Sequence, residues 1–310
     1  MAIQIKKPVF KLPKWVRMLV TISVVGLSFL YLGNNIVHGL KQIDLAELKP
    51  QPIPLILALL LYTSAVLIGG WCWSLIMMGL GQRFSLRSNV KVHLSANIVK
   101  YLPGYGWQIL GKAYLCNCQG IPKGTIGVGI ALEFFSIILT GLWVVIVTLP
   151  SAWLQTWGLV ALAPWRLLGI VTMSLLLIAM PRVVDNALRY FGKRRGSALY
   201  IEIAHKPLWL MLFLMIFAWF ILGLTLYMLT MALYPVASAD LPTLIFAWAA
   251  SSIGSLAVLF VPTGIGVKEG MLTFLLGFRL PVAMAAIVAV LARLISILSE
   301  VFCFWVAQQL

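Results

Sequence analysis

Acidic residues are scarce in this chain, with 8 Asp and Glu in 310 residues against 23 Lys and Arg. Charge of either sign is thin, at 10%, where soluble globular domains carry roughly 25%. The longest hydrophilic run, from about Pro181 to Pro207, is only loop-sized. These shortages exclude a soluble globular protein. The two-residue alternation of an outer-membrane barrel is missing as well. Of the four cysteines, Cys72 and Cys303 lie in apolar spans, and Cys116-Asn117-Cys118 has no matching His/Cys cluster. They read as four reduced structural thiols, and no metal site is expected. Polyprenyl-dependent transferases need clustered acids, yet only Asp44 and Glu47 lie close together, and H-E-x-x-H and G-x-S-x-G do not occur. No enzymatic role and no cofactor are expected.

What fills the chain is apolar sequence, 62% of the residues, with a mean hydropathy of +1.02. The fold class is an all-α polytopic membrane protein, with residues 1–310 forming one integral membrane domain. The net charge of +15 falls in short loops between apolar runs. That is the positive-inside pattern of a membrane protein and not a nucleic-acid footprint. Lys6, Lys7, Lys11, Lys14 and Arg17 precede the run Met18–Leu32 without a convincing cleavage site, so an uncleaved first span with a cytoplasmic N-terminus is expected. The expected location is the inner (plasma) membrane.

The spans are expected near 16–33, 53–80, 125–149, 158–180, 208–233 and 282–306, with a cytoplasmic basic loop over 181–207. Two segments fit no simple span. Residues 88–119 form limbs of about 88–102 and 107–119 around Pro103-Gly104-Tyr105-Gly106, each shorter than the roughly 20 residues that cross a bilayer. A re-entrant helical hairpin fits, dipping in from the cytoplasm and returning there at Lys112 and Lys123. An amphipathic helix lying in the interface is the alternative. His93, Asn97 and Lys100 share one face of the first limb. Residues 243–278 break at Pro262-Thr263-Gly264-Ile265-Gly266. Their first limb, 243–261, is long enough to span alone, and the second, 267–278, is not. About seven spanning helices plus two re-entrant broken hairpins are expected.

Intramembrane charge is expensive and survives where it lines a wet cavity or is paired. Here it comprises Lys100, Lys268 and Arg293 against Glu133, Glu269 and Glu300. Glu133 lies about 12 Å deep in its span at 1.5 Å per residue, with Ser136 and Thr140 on its face. Arg293 and Glu300 share a face of the last span, which places them for pairing, and Glu133 would meet Lys100 or Lys268. The halves echo each other: Pro103 to Glu133 is 30 residues and Pro262 to Arg293 is 31. The repeats, about 53–149 and 208–306, would be inverted if 243–278 enters from outside. On that topology sixteen Lys and Arg lie on the cytoplasmic side, four outside and three within the membrane.

Asn97 and Leu102-Pro103-Gly104, followed by Gly111-Lys112 and Gly120-Ile121, resemble the first signature of the transmembrane region of the lysylphosphatidylglycerol synthase family. Val261 to Gly270, reading VPTGIGVKEG, resembles its second signature, with Arg293 as the later buried arginine. The resemblance, to a flippase-like group of integral membrane proteins, covers nearly the whole chain. At Gly104-Tyr105-Gly106-Trp107-Gln108 the family's Gly-x-Gly-acid pattern lacks its acid. The resemblance implies translocation of lipid between leaflets. With the last span expected to end shortly before Leu310, the family's soluble aminoacyl-transferring domain is not expected, so lipid aminoacylation is not implied.

A lipid head group with a phosphate needs partners inside hydrocarbon. Pro103, Gly104, Gly106, Pro262, Gly264 and Gly266 open the backbone. Asn97, Lys100, Lys268 and Arg293 supply donors, and Glu133, Glu269 and Glu300 hold them. The expected ligand is an anionic amphiphile such as a phospholipid or a polyprenyl-phosphate-linked lipid. The alternative is a non-catalytic membrane partner or scaffold of a lipid or glycan synthesis complex. Nucleic acid is not an expected partner, and the sequence does not specify an oligomeric state.

Overall fold

A computed structural model describes residues 50–82, 85–101, 106–156, 158, 160–195, 203–257 and 266–309. Within them the chain is helical: α1 (Pro52–Gly79), α2 (Leu86–Ile98), α3 (Trp107–Cys118), α4 (Lys123–Thr148), α5 (Ser151–Thr156), α6 (Trp165–Arg195), α7 (His205–Met231), α8 (Leu241–Ala257), α9 (Val267–Leu276) and α10 (Val282–Gln309). Five of these, α1, α4, α6, α7 and α10, are long and apolar enough to cross a membrane. The protein is a multi-pass membrane protein. The expected span at 16–33 and the N-terminal basic cluster lie outside the described residues.

Local chemistry sets several boundaries. Pro52 opens α1, where its missing N–H has no intrahelical partner to lose. Ser85 caps α2 by accepting from the Ser88 N–H at 3.2 Å. Gly106 and Gly266 open the two short helices α3 and α9 at φ of +82° and +83°, a backbone region that penalises any Cβ. At Gly266 the backbone N–H donates to Glu269 Oε2 at 2.8 Å, which is half of a capping box.

Two departures from the expected spans occur around α6. It starts at Trp165, after the one-turn α5 and a 3-10 turn at Val160–Leu162. It then runs through Pro181, the expected start of the basic loop, and on to Arg195. A proline removes one helical hydrogen bond and does not end a helix whose flanking residues favour continuation. Beyond Pro181, Ala187, Leu188 and Arg189 are good helix formers. Asp185 and Arg189 also pair at 3.0 Å with i, i+4 spacing.

The long helices α1 and α7 run antiparallel along each other. The Gln51 N–H donates to the Ala232 carbonyl at 2.9 Å at one end, and the Ala204 N–H donates to the Gly79 carbonyl at 3.0 Å at the other. Each lays a helical hairpin along itself. α2 runs back along α1: Asn89 donates to Ser74 at 3.2 Å, and by Lys100 the chain shares Glu300 with Tyr62. Tyr62 is ten residues into the 28 of α1, about 15 Å along its axis. α3 then returns beside α2, tied by Gln108 to Asn97 at 2.5 Å near the turn and by Gln119 to Ser88 at 2.8 Å at the open end. In the second half α8 runs back along α7. Ile245 lies against Gly223, where an added Cβ would meet the Ile245 Cα at 2.6 Å. Further along α8, Ile253 and Trp219 both close on Gly141 of α4. Each hairpin therefore reaches the middle of its long helix. The contacts also cross over, since α2 packs on α10 and α8 packs on α4.

Apolar side chains fill the space on both sides of the α1/α7 pair. One buried cluster joins α1, α7, α8 and α10 around Trp248, Leu226 and Val288, and another joins α1, α4, α6 and α7 around Trp73, Ile76 and Met211. Between them a polar cavity remains.

Candidate functional site

The cavity has a volume of about 370 Å³ and sits where the inner ends of both hairpins approach the α1/α7 pair. Three lysines, Lys100, Lys112 and Lys268, and two acids, Glu133 and Glu300, line it. The remaining wall is largely apolar, including Ile109, Ile130 and Trp219. Such a cavity keeps charge wet or paired while the outside of the bundle faces hydrocarbon.

The most buried polar network lies at one end. Lys112 Nζ donates to both oxygens of Glu133 at 2.7 and 2.6 Å. The two side chains are only 2% and 8% exposed, so this is a fully desolvated ion pair. The ammonium also sits 4.2 Å from the Trp73 ring centroid. Gln108 Nε2 donates to Asn97 Oδ1 at 2.5 Å, and the Asn97 amide nitrogen lies 3.1 Å from His93 Nε2. His93 Nδ1 lies 3.0 Å from Lys112 Nζ and 3.3 Å from Glu133 Oε1. The chain Gln108–Asn97–His93–Glu133–Lys112 is thereby connected from end to end.

At the other end, Glu300 Oε1 accepts from Lys100 Nζ at 2.6 Å and from the Tyr62 hydroxyl at 3.3 Å. This joins the first hairpin to the last helix across 200 residues of sequence. Glu300 is 4% exposed, and its Oε2 has no hydrogen-bond partner among the described residues. Lys268 Nζ lies over the Trp248 ring at 3.8 Å from its centroid. No carboxylate of the described residues pairs with it within the 4.0 Å of a salt bridge.

Glu269 and Arg293 stand behind this wall. Arg293 Nη1 is 3.5 Å from Glu269 Oε1, so α9 is tied to α10. The first half has the same tie with the signs exchanged, through Lys112 of α3 and Glu133 of α4. Of the expected site residues, Asn97, Lys100, Glu133, Lys268 and Glu300 line the cavity together. Gly106 and Gly266 start the second limbs, and Glu269 with Arg293 braces them. Pro103, Gly104, Pro262 and Gly264 lie outside the described residues.

Three pairings differ from expectation. Glu133 takes Lys112, not Lys100 or Lys268. Lys112 is thus buried in the protein and not at the cytoplasmic surface. Glu300 takes Lys100, and Arg293 takes Glu269, so Arg293 and Glu300 do not form the expected pair. Seven residues of helix separate Arg293 and Glu300 by about 10.5 Å, and nearer partners win on distance. All four cysteines are free, but Cys118 is exposed and so is not a core thiol.

The sequence did carry a signal for Lys112. Glu133 is the sole acid between Glu47 and Asp185, so a buried cation had to face it, and Lys112 is the nearest lysine upstream of its span apart from the one that opens the helix, Lys123. His93 shares a helix face with Asn97 and Lys100 in the sequence, whereas Gln108 and Tyr62 join the site through tertiary contacts, and nothing in the sequence set Tyr62 apart from other polar residues of its helix. No family model matches the chain, and a search of curated proteins gives no match.

Proposed function

We propose that this protein moves an anionic amphiphile between the leaflets of the inner membrane, with the head group held in the central cavity at mid-membrane depth. The observation that carries the reading is the charge of that cavity. Lys100 and Lys112 are each matched by a glutamate, while Lys268 faces the cavity with an aromatic ring as its neighbour. A partly buried cation with no carboxylate against it among the described residues favours an anionic ligand. The antiparallel α1/α7 pair, each with a hairpin reaching its midpoint, supports an inverted repeat with two re-entrant hairpins. With the span expected at 16–33, the five long apolar helices give six crossings. The resemblance to the lysylphosphatidylglycerol synthase transmembrane region points the same way. The reading is of a transporter without catalysis.

The test is reconstitution of the purified full chain in vesicles containing a fluorescent anionic phospholipid, with accessibility to an outside quencher read over time. The native chain should equilibrate the label between leaflets, and Lys268→Ala should slow this about tenfold or more. Equal rates in vesicles with and without the protein would overturn the reading. Translocation that appears only when a synthesis enzyme is added would favour the scaffold role instead.

A further inference from the structure

Lys268 and Glu300 line the same cavity, and each is left incomplete. Glu300 gives Oε1 to Lys100 at 2.6 Å and to the Tyr62 hydroxyl at 3.3 Å, while its buried Oε2 has no hydrogen-bond partner among the described residues. A buried carboxylate oxygen without a donor is costly. Lys268 Nζ stands 3.8 Å from the centroid of the Trp248 ring and pairs with no carboxylate of the described residues. An aromatic face attracts an ammonium through its quadrupole but takes no charge-assisted hydrogen bond from it. An acceptor that lacks a donor and a donor that lacks a carboxylate thus face one cavity. Glu300 is also among the charges that act on Lys268, with Glu269, Arg293 and Lys100.

We propose that Lys268 and Glu300 form a latch, in which Lys268 exchanges between the Trp248 ring and Glu300 Oε2 and so opens and closes the cavity between the two hairpins. Lys100 follows α2 at the inner end of the first hairpin, and Lys268 lies in the first turn of α9 in the second. With Lys268 on Oε2 and Lys100 on Oε1, one carboxylate of α10 ties both hairpins together. With Lys268 over Trp248, as in this structure, it stays within its own hairpin and the cavity of about 370 Å³ lies between the two. The second hairpin is the one held loosely. The first is fastened to α1, α4 and α10 by Asn89 to Ser74, Lys112 to Glu133 and Lys100 to Glu300. In α8, Ser251 and Ser255 donate to carbonyls of their own helix, and Ser252 Oγ has no partner among the described residues. α9 meets α8 through Met271 against Gly254, a side chain that adapts to a shifted neighbour. Its ion pair to α10, Arg293 with Glu269, is 3.5 Å long against 2.6 Å for the two ties of the first hairpin to α4 and α10. The latch uses only charges of the chain itself and does not depend on what the cavity carries.

The experiment is fluorine NMR of the full chain in detergent with fluorotryptophan in place of Trp248. Relaxation dispersion reads exchange on the microsecond-to-millisecond scale with a minor state of about 1–10%. The native chain should show dispersion at this fluorine. Glu300→Gln removes the charge that draws Lys268 off the ring, and Lys268→Met removes the cation, so each should abolish the dispersion. Lys100→Met leaves the whole carboxylate to Lys268 and should raise the minor population. A native line without dispersion that superimposes on the Glu300→Gln line overturns the latch. Dispersion that persists in Lys268→Met overturns it too, because the ring then exchanges for another reason, and this comparison does not need Glu300→Gln to fold. A smaller minor population in Lys100→Met overturns the sharing of Glu300 between the two lysines. Intact dispersion in a chain that moves no lipid in vesicles supports the latch and overturns the translocation reading alone.

Discussion

Replacing Lys112 with methionine removes the cation from the most buried ion pair and keeps much of the length of the side chain. In the native protein the ammonium donates to both Glu133 oxygens at 2.7 and 2.6 Å, with 2% and 8% of the two side chains exposed. Little of either side chain is open to water that could replace the lost donor. Removing one partner of such a pair costs about 3–5 kcal/mol, because it leaves a buried charge without compensation. His93 remains 3.3 Å from the same carboxylate as a polar neighbour, so a value near the lower end, about 3 kcal/mol, is expected. Adding Glu133→Gln to Lys112→Met removes the orphaned charge and should recover most of the loss. The assay is equilibrium unfolding of the purified protein in mixed detergent micelles, comparing the native chain, both single variants and the double variant as a cycle. A Lys112→Met variant as stable as the native chain would refute the reasoning, and so would a double variant no more stable than Lys112→Met.

Three further predictions rest on the packing. Gly106→Ala should cost about 1–2 kcal/mol in the same unfolding assay, purely from the backbone at φ +82°, since an added Cβ meets nothing within 4 Å. Gly223→Ala should cost more, about 2–3 kcal/mol as overpacking, because its Cβ would press on the backbone of Ile245 at 2.6 Å; equal stability of the two glycine variants would show that α7 and α8 do not approach this closely. Cys118 is exposed while Cys72, Cys116 and Cys303 are buried, so in a native membrane a maleimide should label Cys118 first. With the cytoplasmic orientation expected for the open end of the first hairpin, a membrane-impermeant reagent should reach it in inverted vesicles and not in intact cells.

Where the helices lie and where they break was largely legible in the residues. Long apolar runs with few charges leave no alternative to membrane helices, because a backbone in hydrocarbon must bond to itself. Gly106 and Gly266 marked the starts of the short second limbs, since a positive φ is a local property of glycine. Lys100, Glu133, Lys268 and Glu300 were likewise recognisable as charges within apolar sequence that must be accounted for. The end of α6 was misplaced, because Pro181 weakens a helix locally while the 185–189 ion pair and the surrounding helix formers sustain it.

Which charges meet was settled mainly by packing. Lys100 reaches Glu300 across 200 residues, and Lys112 takes the carboxylate for which Lys100 and Lys268 were equal candidates along the chain. The energy of a buried pair depends on the distance between two atoms and on the water excluded around them. Neither quantity is set by position in the sequence. Both follow from how α1 and α7 lie antiparallel and bring the two hairpins to one cavity. That arrangement leaves Lys268 facing the interior with no carboxylate against it, and Glu300 with one oxygen unpartnered, among the described residues.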